Sequence, residues 1–186
     1  MLKKEQIVSN MKKYLDTATS EKYGFMTPEL ELLLGEGFIK APASTMKKLH
    51  NAFEGGLVDH IIRVMKHAYN INNGMVDSLK IPMKSLIKVV YLHAIGKAHL
   101  YEPITYKSNI GKVYDFNEDI TSMSIGERSV YYAVSSGVTL TDDEYIGIIN
   151  HDKSDNLQSE WHNSTVGDIL KCAIRLAIME EKSLAK

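Results

Sequence analysis

The residues best suited to chemistry in this chain are histidines that fall on the inner face of predicted helices. Apolar residues recur with helical spacing at Leu86 and Val90, and His93 continues the same buried face. The helix is expected to stop near Gly96. A buried imidazole needs either a hydrogen-bond partner or a metal ion. The pattern around His93 fits both a core histidine and a ligand, so a second signal has to distinguish them.

A second histidine-bearing segment lies upstream, in the run from His50 to His60. Its centre is Gly55-Gly56, where the absence of Cβ atoms lets the backbone come close to another helix or to a ligand. From Leu57 onward the apolar positions have helical spacing, and His60 shares their inner face. Two histidine-bearing helices are therefore expected to face one core.

These two segments together resemble the HD-domain superfamily of metal-dependent phosphohydrolases. The similarity is to the branch with a Gly-Gly-Leu-x-x-His segment before Leu-His-Asp-Ile-Gly-Lys, and it covers about residues 45 to 182. In that family, histidines and aspartates from several helices hold one or two divalent metal ions. The ions polarise a phosphate ester and activate water, and imidazole and carboxylate ligands suit such ions.

The resemblance carries part of the family's ligand set onto this chain. The first family histidine matches His60, the histidine of the His-Asp doublet matches His93, and a later histidine matches His151. Lys97 matches the family's lysine after glycine. The expected ligand-binding residues are His50, His60, His93, Lys97 and His151.

Three family ligand positions hold residues that cannot bind a metal. The doublet aspartate matches Ala94, a histidine before Gly-Glu matches Ile125, and the closing aspartate of the last helix matches Ile178. These side chains offer no lone pair, and an unpaired cation against an apolar wall costs several kcal/mol. A two-metal centre is therefore not expected, and no catalytic residue is assigned.

Three functions remain open from these residues. In the first, the phosphohydrolase site is impaired and inactive, and the protein binds a nucleotide, another phosphorylated small molecule or a regulatory protein partner. In the second, His60, His93 and His151 hold a single divalent transition metal (Zn, Mn, Ni or Fe) for residual phosphohydrolase or phosphodiesterase activity. Asp59 or Asp152 would then hold the imidazole tautomers. In the third, the chain is a structural protein-interaction module without a cofactor.

The elements that must position these residues are predicted to be helical. The expected fold is all-α, an HD-domain-like helical bundle with a small β-hairpin insertion. Residues 1–44 are expected to form an N-terminal helical cover on an HD-like domain at 45–186, within one compact unit, or to build a homodimer interface. Helices are predicted over 3–16, 28–35, 57–74, 82–96, 124–135, 141–150 and 164–184, and strands over 104–107 and 113–116.

Composition excludes several other classes of protein. With 22 basic and 23 acidic residues among 186, the formal net charge is -1, so no bulk field attracts nucleic acid or an anionic membrane. A hydrophobic content of 44% is enough for one sizeable core. The single cysteine, Cys172, can form no internal disulfide. Charged residues near the N-terminus do not suit a signal peptide, so we expect a cytoplasmic protein without a membrane anchor.

Overall fold

A computed structural model describes residues 2–153 and 164–184. Over these residues the chain is mainly helical, with one two-stranded antiparallel sheet and two short 3₁₀ turns, at Asp77–Leu79 and Ile95–Lys97. The predicted all-α character with a small hairpin is therefore confirmed. The helices are α1 (Lys4–Ala18), α2 (Pro28–Lys40), α3 (Gly56–Gly74), α4 (Met83–Leu92), α5 (Ile125–Ser135), α6 (Asp142–Ile149) and α7 (Thr165–Leu184), and the strands are β1 (Tyr101–Pro103) and β2 (Tyr114–Phe116).

Side-chain caps fix where several of these helices begin. The Thr27 hydroxyl accepts a hydrogen bond from the Leu30 N–H at 3.1 Å, directly before Pro28 at the first position of α2. Both α5 and α6 begin with a capping box, in which Ser124 or Thr141 exchanges hydrogen bonds with a glutamate three residues later. The predicted starts of these three helices are confirmed.

The core forms where α3 packs against α4 and α7. Leu57 and Ile61 of α3, Leu86 of α4 and Leu170 of α7 are fully buried. Their spacing along each helix is the apolar periodicity that the sequence shows. Because His60 and His93 continue these faces, both histidines are carried into the centre of the bundle, where they are 2% and 1% exposed.

The N-terminal helices share this core. Tyr14 of α1 is fully buried, stacks on Tyr91 with ring centroids 4.7 Å apart, and donates a hydrogen bond to the Tyr91 carbonyl oxygen at 3.1 Å. Phe38 of α2 is fully buried as well, and its ring centroid lies 5.0 Å from that of Tyr14. Residues 4–18 and 28–40 therefore cover the bundle by packing directly against its central helices.

Three predicted boundaries are wrong. Helix α4 ends at Leu92 rather than near Gly96, and a separate 3₁₀ turn follows over Ile95–Lys97. Helix α2 does not end at Gly35, where φ is +44°; the chain breaks helical geometry there and then resumes helix as far as Lys40. The first strand is also displaced: residues 101–103 pair with 114–116, while 105–107 lie in the connecting loop. The reason is that the Val113 N–H donates to the Thr45 carbonyl at 2.8 Å, which ties this side of the loop to an earlier segment.

None of the described helices is long and apolar enough to span a membrane.

Candidate metal and ligand site

Four histidines from four separate segments form one continuous row of imidazoles. The ring centroids of His50 and His60 are 4.9 Å apart, those of His60 and His93 are 6.1 Å apart, and those of His93 and His151 are 5.0 Å apart. His50 lies in the loop before α3, His60 on α3, His93 at the end of α4 and His151 after α6. The structure thus brings together the four histidines that were expected to bind a ligand, and we call them the histidine row.

Helix ends orient two members of this row. The Nδ1–H of His93 donates to the Val90 carbonyl at 2.6 Å, and the Nδ1–H of His151 donates to the Ile148 carbonyl at 2.7 Å. These carbonyls belong to the last turns of α4 and α6, where the helix itself leaves acceptors unused. Because a carbonyl can only accept, the proton is placed on Nδ1 and the lone pair on Nε2. This is the tautomer with which a histidine binds a metal through Nε2.

A carboxylate that sequence analysis did not select orients His60. Glu181 of α7 lies with its Oε1 2.9 Å and its Oε2 3.2 Å from the Nδ1 of His60. Glu181 is 4% exposed. The apolar stripe of α7 passes through Ala173 and Ala177, and the next step of four residues is Glu181. A glutamate on a buried helical stripe is the signal in the sequence that could have identified it.

The positions that match the family's carboxylates and extra histidine hold the side chains expected from the sequence. Ala94 is 1% exposed in the connection after α4, Ile125 is the first residue of α5, and Ile178 lies on α7 one turn before Glu181. Two residues after Ala94 the packing is close, since a Cβ on Gly96 would lie 2.7 Å from the Ile125 carbonyl oxygen. None of these three side chains supplies an oxygen or nitrogen ligand.

Burial keeps the imidazoles neutral. Burial first, and neighbouring positive groups second, lower the pKa of His50 and of His60 from 6.5 to about 3, although Asp59 partly opposes the shift of His60. Burial, with the adjacent His151 and His60, also lowers the pKa of His93, and burial lowers that of His151. Neutral imidazoles offer lone pairs and little positive charge. The row is therefore better suited to binding a cation than to binding a phosphate directly.

Lys97 lies four residues after His93, at the end of the 3₁₀ turn that follows α4. Its Nζ donates to the Ala43 carbonyl at 2.6 Å, and it lines a cavity of about 490 Å³ together with Tyr101 and Tyr114. Burial lowers the pKa of Lys97 from 10.5 to about 8, while Glu181 and Asp152 raise it. The lysine therefore carries a charge over most of the neutral pH range and can donate to an anion.

Asp59 does not hold an imidazole, contrary to expectation. Its carboxylate accepts hydrogen bonds from Asn10 at 3.1 Å, from Asn51 at 3.0 Å and from Arg63 at 3.0 Å. These bonds join α1, the loop before α3 and α3 itself. Asp152, the other residue expected to hold an imidazole, is exposed. The role proposed for either aspartate is taken by Glu181.

The glycine pair before α3 makes its close approach to the chain's own loop. Gly55 has φ +75° and precedes the helix, and a Cβ on Gly56 would collide with the Asn51 carbonyl oxygen. Asn51 itself has φ +44°, a conformation that asparagine tolerates better than most residues. This contact fixes the loop that carries His50 beside the start of α3.

The residues present fit a divalent metal ion. Among the described residues, one ligand atom each from His50, His60 and Glu181 all lie within 4.8 Å of one another. Metal–ligand distances of about 2.1 Å place such atoms closer together than that, so the side chains would have to move inward by a small amount. The three-histidine set expected from the sequence shares only His60 with this group, and it stays a prediction.

No protein-family model, no curated protein and no solved structure matches this chain. The resemblance to the HD-domain superfamily therefore rests on the segments from His50 to His60 and from Leu92 to Lys97.

Proposed function

We propose that this chain is an HD-like protein that holds one divalent transition metal ion in its histidine row and binds a phosphorylated small molecule beside that ion. The observation that carries the proposal is the state of the imidazoles. His93 and His151 have their Nδ1 protons committed to backbone carbonyls, and His60 has its Nδ1 committed to Glu181. In His93 and His151 this leaves Nε2 for a ligand, whereas in His60 the neighbouring carboxylate could share an ion with the ring.

The charges of the site explain why an ion and a phosphate would bind together. Neutral imidazoles do not repel a cation, and a buried phosphate needs positive charge to replace its water. When bound, a divalent ion supplies that charge and polarises a phosphate ester. Lys97 would add a hydrogen bond to a phosphate oxygen, and its attachment to the Ala43 carbonyl limits how far its Nζ can move.

Binding without rapid turnover is the first form of this proposal. The family places a carboxylate directly after the doublet histidine, and Ala94 cannot replace it. Without that oxygen, a second ion would have no ligand at this position. The protein would then act as a metal-dependent binding protein for nucleotides or related phosphate esters, with a sequestering or regulatory role.

Hydrolysis of the bound ester is the second candidate, and Glu181 is the observation that favours it. A buried carboxylate in contact with His60 gives the site an acid or base besides the imidazoles. Its pKa is raised from 4.5 to about 8, first by burial and then by Asp59. A carboxyl group that titrates in this range is suited to proton transfer near neutral pH.

Elemental analysis and ligand-dependent melting test the proposal together. We expect about one transition metal ion per chain after loading with Zn²⁺ or Mn²⁺. We also expect a nucleotide or simple phosphate ester to raise the melting temperature only in the metal-loaded protein, because a ligand that prefers the folded state stabilises it. Protein that binds neither metal in solution would contradict the proposal. Release of phosphate or of a monoester from the same panel would select the hydrolytic form.

A further inference from the structure

We infer that the ion is bound by His50, by Glu181 and by the Nδ1 of His60, in place of the hydrogen bond that joins His60 to Glu181, so that Glu181 supplies the carboxylate ligand that Ala94 does not. This inference rests on the binding form of the proposed function, which requires a metal ion and does not use Glu181 as an acid or base. It differs from the three-histidine set, because the ion would lie at the end of the row where α3 meets α7.

The first support is the contrast between two adjacent glutamates. Glu180 accepts hydrogen bonds from Arg63 at 2.7 Å and from His67 at 2.8 Å, and Lys66 lies 3.6 Å away. Among the residues that the structure describes, Glu181 has one side-chain hydrogen-bond partner, His60. The first carboxylate is thus neutralised by cationic groups, whereas the second is more deeply buried and has only an imidazole.

The second support is that the cations near Glu181 are committed to other acceptors. Arg63 donates to Asp59 and to Glu180, and Lys97 donates to the Ala43 carbonyl. Ionising a carboxyl group at 4% exposure is costly when no cation is paired with it. A divalent ion between Glu181 and the two imidazoles would remove that cost.

The third support is how His50 is held. The Ser44 hydroxyl donates to the His50 carbonyl at 2.6 Å, and the next residue, Asn51, is held with φ +44° against Gly56. Backbone strain of this kind persists where the surroundings impose it, and it is common at ligand sites. The effect is that the His50 ring faces His60 at 4.9 Å.

The fourth support is access. Glu181 lines a cavity of about 540 Å³ that is also lined by Asn51, Phe53, Asp59 and Arg63. An ion and its ligand can reach Glu181 through this cavity without passing the buried His93. The size is within the usual range for small-molecule sites.

The chemistry of the set suits a borderline divalent ion. Two imidazoles and one carboxylate are ligands that Zn²⁺, Mn²⁺, Fe²⁺ and Ni²⁺ accept, and they leave coordination positions for water or phosphate. One carboxylate offsets half of the ionic charge, so the ion would still attract an anionic ligand.

The test measures the affinity of the full chain for Zn²⁺ and Mn²⁺ by calorimetry and by competition with a coloured chelator. Glu181→Gln keeps the size of the side chain and its hydrogen bond to His60. We expect it to weaken the binding of both ions by about 10-fold to 100-fold. The matched control is Glu180→Gln, on the same turn of the same helix, which should leave affinity within about 2-fold because that carboxylate is held by Arg63 and His67 and does not contact His60. His50→Gln should weaken binding as Glu181→Gln does. Circular dichroism would check that each variant is folded.

A measurement on unaltered protein covers the case in which the Glu181 variant does not fold. In Cu²⁺-loaded wild type, pulsed electron paramagnetic resonance counts coordinated imidazoles through their remote nitrogens. Two imidazoles are expected, from His50 and His60, and three would overturn the inference in favour of the set that includes His93 and His151. If wild type binds metal and Glu181→Gln binds it equally well, the inference fails while the proposed function stands. If wild type binds no metal, the proposed function fails first.

Discussion

The two ends of the histidine row are held by different kinds of contact. At one end, His93 and His151 each donate to a carbonyl three residues earlier in the chain. At the other end, His60 is held by Glu181, a residue 121 positions away. The first arrangement needs only a helix that ends before a histidine. The second needs α3 and α7 to pack in one particular register.

This difference separates the two ends by where a carboxylate is available. At the end built from local contacts, the residue after His93 is Ala94, which offers no carboxylate. The end built from a long-range contact has a buried carboxylate that the family motif does not include. Metal binding, if it follows the carboxylate, would therefore favour the His50–His60 end over the His93–His151 end.

Acid should have the largest effect on the whole row. Below pH 6.5 the unfolded chain binds protons at His50 and His60 that the folded chain does not take up until about pH 3, so the free energy of unfolding falls as the pH falls. Glu181 opposes this between pH 8 and 4.5, because its folded carboxyl holds a proton that the unfolded one has released. The two imidazoles change the free energy of unfolding more than the one carboxyl group does. The free energy of unfolding should therefore fall most steeply below pH 4.5, where Glu181 no longer opposes the change.

Urea unfolding of chelator-treated protein across this range would measure the effect. His50→Gln should lose less stability on acidification than wild type. A free energy of unfolding that does not change between pH 6.5 and 4 would contradict the burial of neutral imidazoles.

Placing a carboxylate directly after His93 would test whether this end of the row can bind an ion. Ala94→Asp should destabilise the metal-free protein by roughly 3–5 kcal/mol, because a charge at this position is buried without a partner. Mn²⁺ should recover part of that loss and add a second bound ion, since His93 already presents its Nε2. Ala94→Asn is the control for size without charge. Equal destabilisation with and without Mn²⁺ would show that this end cannot hold an ion.

Removing one imidazole from each end would sharpen the comparison. His60→Ala should lower the affinity for Zn²⁺ by about 100-fold or more, the upper range for loss of a supporting residue, because His60 is proposed as a direct ligand. His151→Ala should lower it much less if the ion lies with His50 and His60. Calorimetric titration of both variants measures this, and equal losses would place the ion nearer the middle of the row.

A smaller effect is expected from crowding the His93 end through its backbone. Gly96→Ala places a Cβ 2.7 Å from the Ile125 carbonyl oxygen and 2.9 Å from the Ser129 N–H nitrogen, so we expect a loss of about 1–3 kcal/mol. Gly74→Ala is the control, because a Cβ there meets nothing within 4 Å. Its metal affinity and that of Gly96→Ala should both stay close to wild type if the His50–His60 end binds the ion.

The locally encoded part of this architecture could be predicted from sequence. Capping at Ser124 and Thr141 and the apolar stripe that leads to His93 are patterns within a few residues, and the helices they predict are present. The same local reasoning placed His60 on the buried face of α3.

Prediction failed where a distant contact decides the outcome. Glu181 reaches His60 only because α7 packs along α3, and no spacing within α7 indicates which residue of α3 it meets. The hairpin was displaced because Val113 bonds to Thr45, a partner outside the hairpin. Gly35 looked like a helix end because glycine often occupies that position, yet the segment after it regains helical geometry.

The stacking of Tyr14 on Tyr91 has a consequence for the ligand site. Tyr91 is two residues before His93, and its carbonyl is next to the Val90 carbonyl that orients the His93 ring. A shortened chain without α1 would expose the Tyr91 ring to water and leave its carbonyl without the Tyr14 hydroxyl. Helix α1 therefore supports the position of the His93 ring through Tyr91. Removing α1 should make the orientation of that ring less well defined.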